Sequence, residues 1–234
     1  YVRWVRSRPF DIGSTTRAGI AALADGNPAR SESQSNGALM RVSPIGVLAA
    51  GDPALAARLA SADARLTHPH PVCQAASAAY AAAIATGVAG GSAEEMCSAA
   101  EIHAGDDTGA QSVRERLALA RHREPEDFEN QMGWVLTAFQ NAFHHLLRET
   151  PVAEALPATV ARGGDTDTNA AICGALLGAV QGRDAIPLQW RNAVLSCRPV
   201  EGRGIHHPRP QEYWPDDALD LAEALLSAQS CEVN

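Results

Sequence analysis

The 234-residue sequence contains no lysine. All 19 basic residues are arginine, they face 27 acidic residues, and the formal net charge is −8. Proteins that coat nucleic acid depend on clustered positive charge, so this acidic balance argues against a nucleic-acid partner. Aromatic residues make up only 5%, which favours helices over strands. No apolar run is long enough to cross a bilayer. A secretory signal is also missing, so we expect a cytoplasmic protein without a membrane partner.

Cysteine is scarce and dispersed. The five cysteines are odd in number and show no CxxC spacing. They fit neither a disulfide framework nor a zinc site, and we expect reduced, mostly buried thiols. Their positions are Cys73, Cys97, Cys173, Cys197 and Cys231.

Sustained alternation of β-branched and polar residues is also missing, which excludes a sheet. With 46% hydrophobic and 20% charged residues, the sequence predicts one all-α domain over residues 1–234. Two helix starts are well marked, by Asp52-Pro53 and by a Ser92–Glu95 capping box. Pro44 is expected to kink or break a helix, and 198–215 to form an irregular loop. The predicted helices cover Thr16–Ala24, Ala38–Ala50, a segment from Pro53, Val72–Ala89, Ser92–Ala104, Ser112–Arg121, Met132–Leu147, Val152–Val160, Thr166–Val180 and Asp217–Leu226.

The first residue is Tyr1, within a segment, Tyr1–Trp4, that is typical of a helix end. We therefore expect the N-terminal part of the natural protein to lie outside this sequence.

The segment with the most chemistry follows Arg162 and reads Gly-Gly-Asp-Thr-Asp-Thr-Asn. Asp165, Asp167 and Thr168 lie at a loop-to-helix junction, and their oxygens suit Mg²⁺ or Mn²⁺ better than zinc. Gly163 and Gly164 let a ligand approach the backbone, and the helix start favours an anion. The alternative is that Asp165 merely caps the helix while Asp167 stabilises its dipole.

The whole run, with Gly-Ala-Leu-Leu-Gly-Ala behind it, resembles the C-terminal metal motif of the ADP-ribosylglycohydrolase family, which includes the dinitrogenase-reductase-activating glycohydrolases. Further stretches resemble that family in the same order along the chain. They are Pro9–Gly13 with Thr15–Arg17, Ser35–Arg41, Thr67–Pro71, Gly133–Val135, Pro208–Pro210 and Tyr213–Pro215.

The resemblance implies an all-α fold with two Mg²⁺ or Mn²⁺ ions, and Asp165, Asp167 and Thr168 as metal ligands. Asp165 and Asp167 become the catalytic candidates, with Asp167 shared between both ions. The implied reaction is hydrolysis of the glycosidic bond between ADP-ribose and a protein side chain or a small conjugate, through an oxocarbenium-like state.

The same resemblance suggests substrate contacts around this centre. Asn36 and Gly37 would position the ribose or the diphosphate, and Gly163 and Gly164 would supply backbone donors. His68 would contact the distal ribose or a water, and Gly133 would lie beside the substrate. Trp134 either stacks on adenine or belongs to the core.

Other candidates have simpler explanations. His68 and His70 are flanked by prolines, so a rigid turn is simpler than a pair of metal ligands. His144 and His145 point about 100° apart on a helix, which favours surface or groove positions. Leu39 and Met40 are expected in the core.

One motif of the family, Thr-Asp-Asp-Thr near its N-terminus, has no counterpart ahead of Pro9–Gly13. Gly105–Thr108 is similar, but its position in the chain is wrong and such turns are common. This departure leaves a second function open, a catalytically degenerate module that binds ADP-ribose or a nucleotide. A metal-dependent phosphohydrolase is a third, lower-ranked hypothesis.

Overall fold

The computed structural model describes residues 1–202 and 204–228, and within them the all-α prediction is confirmed. Extended backbone pairs only at an isolated bridge between Ser35 and Trp134 in this part of the chain. The helices are α1 Val2–Arg6, α2 Ser14–Ala24, α3 Ser43–Leu48, α4 Pro53–Arg65, α5 Pro71–Val88, α6 Ala93–His103, α7 Thr108–Ala120, α8 Val135–Leu147, α9 Val152–Ala161, α10 Thr166–Gln181, α11 Leu188–Leu195 and α12 Ala218–Ala228.

The helix α5 lies at the centre of the molecule. It packs against α3, α4, α6, α7, α8 and α10, and 14 of its 18 residues are buried. Most of these are alanine, so neighbouring helices come close. A Cβ added at Gly46 of α3 would lie 2.5 Å from a side-chain carbon of Ile84, and one at Gly109 of α7 would lie 2.5 Å from the backbone of Pro71. Small residues therefore set the helix spacing around α5.

The marked helix starts form as predicted. The Asp52 carboxylate accepts a hydrogen bond from the Leu55 N–H, with Pro53 as the first residue of α4. Ser92 and Glu95 form a complete capping box ahead of α6. These starts follow from local side-chain contacts with the first free N–H groups of a helix.

Several boundaries differ from the predictions. The expected helix Ala38–Ala50 is divided into a 3₁₀ turn, Leu39–Arg41, and α3, and the break falls at Val42 rather than at Pro44. Helix α8 starts three residues later than predicted because Trp134 pairs with Ser35. Helix α11 was not predicted, since none of its residues is buried and no capping side chain marks its start.

The N- and C-terminal parts of the described chain meet near the loop that follows α1. The Arg209 guanidinium donates to the carbonyl and the hydroxyl of Ser7. The rings of Phe10 and His207 stack at a centroid distance of 4.7 Å. The described parts of this segment, 198–202 and 204–215, are irregular as predicted apart from the 3₁₀ turn Gln211–Tyr213 and the start of another at Pro215. They thus support residues 7–10.

Among the described residues no helix is both long and apolar enough to cross a bilayer. Three of the described cysteines are buried and free, Cys197 is exposed and free, and Cys231 lies outside the described residues. The expectation of mostly buried thiols is confirmed for the four that are described.

Candidate functional site

The turn into α10 requires glycine at both positions of the Gly-Gly pair. Gly163 and Gly164 have φ of +76° and +68°, a region that other residues rarely adopt. A Cβ on Gly164 would lie 1.9 Å from the carbonyl oxygen of Phe128. The pair therefore fixes the direction in which α10 leaves the loop, and with it the positions of the acids in its first turn.

Asp165 precedes α10 at its N-cap position, but its carboxylate caps no helical N–H. It accepts a hydrogen bond of 2.8 Å from the side-chain amide of Asn36, which is buried. The alternative of a simple N-cap is therefore wrong for Asp165. Its carboxylate instead connects α10 to a loop 129 positions earlier in the chain.

Asp165 lies on a cavity of about 540 Å³, named here the acidic cavity. Its size is in the range of small-molecule sites. Asp167 is exposed to it, whereas Asp165 and Thr168 are half-buried. The acidic cavity is lined by Trp4, Phe10–Thr16, Ser33, Ser35, Asn36, Gly37, Met40, Asp165, Asp167 and Thr168.

The loop with Asn36 and Gly37 is held from several sides. The Arg41 guanidinium donates to the Gly37 carbonyl oxygen at 3.2 Å and pairs with Asp63 at 2.9 Å. A Cβ on Gly37 would lie 3.0 Å from both the His68 ring and the Thr16 hydroxyl oxygen, so glycine fits a tight gap. The predicted residues Asn36, Gly37, Asp165, Asp167 and Thr168 thus share one cavity.

His68 supports this loop from behind. Its side chain is fully buried, and it does not line the acidic cavity. The Nε2 atom lies 3.0 Å from the Ser35 hydroxyl and Nδ1 lies 2.7 Å from the Thr67 hydroxyl. Burial lowers the pKa of His68 to about 4. Ser35 and Gly37 lie between the ring and the cavity, and the direct contact of His68 with a ribose or a water stays a prediction.

Gly133 and Trp134 hold the other side of the loop. The Gly133 carbonyl accepts from the Asn36 N–H at 2.9 Å, and the Trp134 indole donates to the Gln34 side chain at 2.9 Å. The Arg116 guanidinium covers the Trp134 ring at 4.6 Å. Both residues line a shallow neighbouring depression rather than the acidic cavity. Two roles were considered for Trp134, stacking on adenine and packing in the core. The contacts of its ring are those of a partly buried core residue.

The glycine pair is further from the cavity than expected. Gly163 packs against the Glu129 side chain, and its N–H donates to the Val160 carbonyl at the end of α9. That N–H is not available to a ligand, which corrects the prediction for Gly163. Neither glycine lines the cavity in the described part of the chain.

Asn169, in the same motif, is fully buried in the first turn of α10. Its N–H donates to the Asp165 carbonyl at 3.0 Å, but both polar atoms of its side chain lack a partner among the described residues. Buried amides are normally hydrogen-bonded. Packing alone therefore does not favour an asparagine at this position.

Three expectations about other side chains are resolved by burial. His144 and His145 are 6% exposed, so the prediction of surface or groove positions is wrong. The Nδ1 atom of His144 lies 2.8 Å from the Ala120 carbonyl oxygen, which draws this face of α8 against α7. Leu39 is buried as predicted, whereas Met40 is 47% exposed and lines the acidic cavity.

His70 acts as a helix cap. Its Nδ1 accepts from the Val72 N–H at 3.2 Å at the start of α5. The rigid turn is thus the better explanation for His70. Asp107 of the Gly105–Thr108 stretch similarly caps α7 through the Ala110 N–H, and this stretch lies on a different cavity from Asp165.

The oxygen donors near Asp165 match the expected metal in their chemistry. Within residues 1–202 and 204–228 no three His, Cys, Asp or Glu side chains cluster as a metal site. Asp165, Asp167 and Thr168 nevertheless supply hard oxygen donors at one helix start. Mg²⁺ commonly takes one or two carboxylates from a protein and the rest of its shell from water and substrate. The residues present fit such an ion.

Sequence reasoning missed part of the cavity wall. Ser33 and Ser35 face it, and their hydroxyls are 3.2 Å apart. Asp11 and Thr16 also line it. Like Ser35, they belong to stretches that resemble the family, but the resemblance assigns them no role. The alternating serines at 31, 33 and 35 were the available signal, but single serines in loops are too common to be assigned without a partner.

Comparisons with known proteins support the family resemblance and the fold. The sequence model of the ADP-ribosylglycohydrolase family matches residues 1–231, and the chain belongs to this family. A solved structure described as an ADP-ribosylglycohydrolase-related protein complex has a TM-score of 0.74 at 27% identity, over 97% of this chain and 71% of that one.

Two curated relatives are similar over shorter spans. The chain is 29% identical over 199 residues to the ADP-ribosyl-dinitrogen reductase glycohydrolase of Rhodospirillum rubrum, which is 81% of this chain and 62% of the relative. It is 34% identical over 163 residues to an uncharacterized protein of Archaeoglobus fulgidus, covering 68% of this chain and 52% of that protein. The chain thus spans less than two thirds of the length of these two relatives.

Proposed function

We propose that the protein hydrolyses the glycosidic bond that joins ADP-ribose to a protein side chain or to another acceptor, and releases ADP-ribose. The observation that carries this proposal is the convergence of Asp165, Asp167, Thr168 and Asn36 on one cavity in a chain of the ADP-ribosylglycohydrolase family. We do not specify the acceptor group, because the fold and the acidic motif relate to recognition of the sugar and not of the group attached to it.

The residues of the cavity suit this chemistry electrostatically. Cleavage at the anomeric carbon develops positive charge on the ribose. The carboxylates of Asp165 and Asp167 lie at the start of α10, where the helix dipole stabilises negative charge. Asn36 holds the Asp165 carboxylate in place by its hydrogen bond. These fixed carboxylates are therefore in position to hold a cation beside the sugar without reorganising at the moment of reaction.

Asp165, Asp167 and Thr168 would hold Mg²⁺ or Mn²⁺, with two ions in the complete site. When bound, such ions orient sugar hydroxyls and lower the pKa of a bound water.

A second candidate is a module that binds ADP-ribose on the same scaffold without hydrolysing it. It is favoured by the small number of clustered carboxylates: Asp11 also lines the cavity, but among the described residues it does not form a group of three with Asp165 and Asp167.

The test uses the full-length protein with Mg²⁺ and an arginine-ADP-ribosylated peptide, and then serine- and base-linked conjugates. ADP-ribose release is followed by chromatography. We expect Asp167→Asn to lower the rate at least about 100-fold, in the range of removing one transition-state contact. Asp106→Asn, in the similar acidic stretch before α7, is the control and retains the wild-type rate, since its side chain is exposed and outside the cavity.

A wild-type rate for Asp167→Asn overturns the hydrolase assignment to this site. Tight ADP-ribose binding in calorimetry without release from any conjugate identifies the binding module instead.

A further inference from the structure

The Gly163–Gly164 turn into α10 is held from outside. Both glycines have a left-handed backbone, and residues without a side chain have many other conformations open to them. Side-chain contacts that select this conformation therefore come from the flanking residues. On one side the Asp165 carboxylate accepts from the Asn36 amide at 2.8 Å. On the other side lies Arg162, which follows the last residue of α9.

The Arg162 side chain is bound to the loop between α7 and α8. Its guanidinium forms an ion pair with the Glu124 carboxylate and lies 5.8 Å from the centre of the Phe128 ring. Within residues 1–202 and 204–228 no other carboxylate pairs with Arg162. The buried Phe128 also places its carbonyl oxygen against Gly164. The loop thus contacts the turn by packing and holds the residue before it by charge.

Hydrogen bonds keep this loop in place. The Asp127 carboxylate accepts from the Glu129 N–H at 3.1 Å, and the Arg123 carbonyl oxygen accepts from the Gln140 side chain of α8 at 3.1 Å. Glu124, the neighbour of Arg123, therefore has a fixed backbone position. A carboxylate on a fixed backbone defines where its partner lies, whereas one on a mobile loop does not.

The buried His144 lies on the other side of the Glu124 carboxylate. Its Nδ1 is 2.8 Å from the Ala120 carbonyl oxygen, which can only accept, so Nδ1 carries a proton. Its Nε2 then faces Oε1 of Glu124 at 4.0 Å. The side chains of Glu124 and Arg162 are 31% and 49% exposed. An ion pair exposed to this degree adds little to the stability of the whole protein, so its effect is confined to the turn.

We propose that Glu124 is a positioning residue of the candidate site. Its carboxylate holds Arg162, and through Arg162 it fixes the direction in which α10 leaves the glycine turn. Asp165 and Asp167 begin that helix, so their carboxylates keep the arrangement with which they would hold Mg²⁺ or Mn²⁺. This inference rests on the proposed function, in which these two acids bind such an ion.

Titration of the full-length protein with Mn²⁺, followed by electron paramagnetic resonance, tests this role. We expect Glu124→Gln to weaken Mn²⁺ binding about 2- to 5-fold, the range for loss of a partly exposed ion pair. Glu126→Gln is the matched control, because it removes the same charge from the same loop but from a pair with Arg123. It should bind Mn²⁺ within about 1.5-fold of the wild type. Unchanged affinity in Glu124→Gln, or an equal loss in Glu126→Gln, overturns the proposal.

A double-mutant cycle shows whether Glu124 acts through Arg162. We expect Arg162→Gln and the double variant Glu124→Gln/Arg162→Gln to bind Mn²⁺ about as weakly as Glu124→Gln alone, because the same contact is lost in all three. Losses that add up in the double variant would mean that the two residues act independently, which refutes the inference.

Amide hydrogen exchange of the metal-free protein gives a readout that needs neither metal nor turnover. The N–H groups of Gly163, Thr166 and Asn169 donate to carbonyls in and around the turn. We expect Glu124→Gln to raise their exchange rates about 2- to 5-fold and to leave those of α5 unchanged. Unchanged exchange at the turn, or an equal rise throughout the molecule, refutes the positioning role.

The outcome for the metal separates this inference from the proposed function. If the wild type binds no Mn²⁺, the assignment of the acids fails and this inference fails with it. If Mn²⁺ affinity and exchange change as expected but no ADP-ribosyl conjugate is cleaved, the proposed hydrolase fails while this inference stands.

Discussion

At the residue scale, the candidate site depends on positions where only one residue type fits. Gly164 has a left-handed backbone and faces the Phe128 carbonyl directly, and Gly37 fits between His68 and Thr16. The Asp165 carboxylate accepts a hydrogen bond from the Asn36 side chain and caps no N–H of α10. The motif is therefore a set of backbone and side-chain constraints as well as a set of acids.

The first prediction concerns Gly164. Substitution to alanine places a Cβ where the Phe128 oxygen now lies, so the turn has to shift, and the left-handed backbone adds strain. We expect Gly164→Ala to lower the free energy of unfolding by at least about 1–3 kcal/mol in urea titrations.

Gly178 of α10 provides the control for this substitution. A Cβ there meets nothing within 4 Å, so Gly178→Ala should leave stability unchanged or raise it by about 0.5–1 kcal/mol, as expected within a helix. Equal stability of Gly164→Ala and the wild type would show that the turn adapts freely.

The sequence predicted residues whose signal is local. The starts of α4 and α6 were predicted because Asp52 and Ser92 contact N–H groups three positions later. The Asp165–Asp167 motif was found because the whole run from Gly163 to Asn169 is contiguous in the sequence and resembles the metal motif of the family. By contrast, Ser35 and His68 are 33 positions apart, and no pattern within either segment indicates that their side chains are in contact. The burial of His144 likewise depends on a carbonyl 24 positions earlier.

At the scale of elements, α5 is the helix against which most others are placed. The alanines of α5 allow α3, α4, α6 and α7 to pack close to it. As a consequence, the buried positions of α5 have no room for larger side chains. The loop at Asn36 is tied to this helix as well, because the Cys73 thiol of α5 donates to the Ser35 carbonyl at 3.5 Å.

A prediction for α5 follows from this packing. Ala83 is fully buried in the centre of the helix. We expect Ala83→Leu to overpack the core and lower the free energy of unfolding by about 1–3 kcal/mol, measured by urea denaturation. Ala62→Leu on the exposed side of α4 makes the same chemical change and should stay within about 0.5 kcal/mol. A similar loss at both positions would mean that α5 is not tightly enclosed.

At the scale of the whole molecule, stability should depend on pH through buried histidines. Burial, the main cause at both positions, lowers the pKa of His68 and of His145 to about 4 each, against 6.5 as the ordinary value. Around His145 the neighbouring His144 and Arg148 act in the same direction as burial. Neither ring is protonated in the folded protein until the pH is well below that at which the unfolded chain takes up its protons.

The unfolded state therefore binds more protons between about pH 6.5 and 4, and the free energy of unfolding should fall as the pH is lowered through this window. Denaturation curves at several pH values measure this slope. His145→Gln should reduce it, while the same change at the exposed His122 should not. An identical slope in His145→Gln and wild type would exclude His145 as a source of the dependence.

The hydrogen bond between Asn36 and Asp165 spans 129 positions of the chain. Closing so long a loop costs entropy that only the packing of the intervening helices offsets. We therefore expect the two sides of the acidic cavity to come together only after α3 to α9 have packed, so that a partly unfolded chain lacks the binding site. Conversely, a ligand that bridges the two sides closes the same loop, so its binding energy protects the entire helical assembly against unfolding and proteolysis.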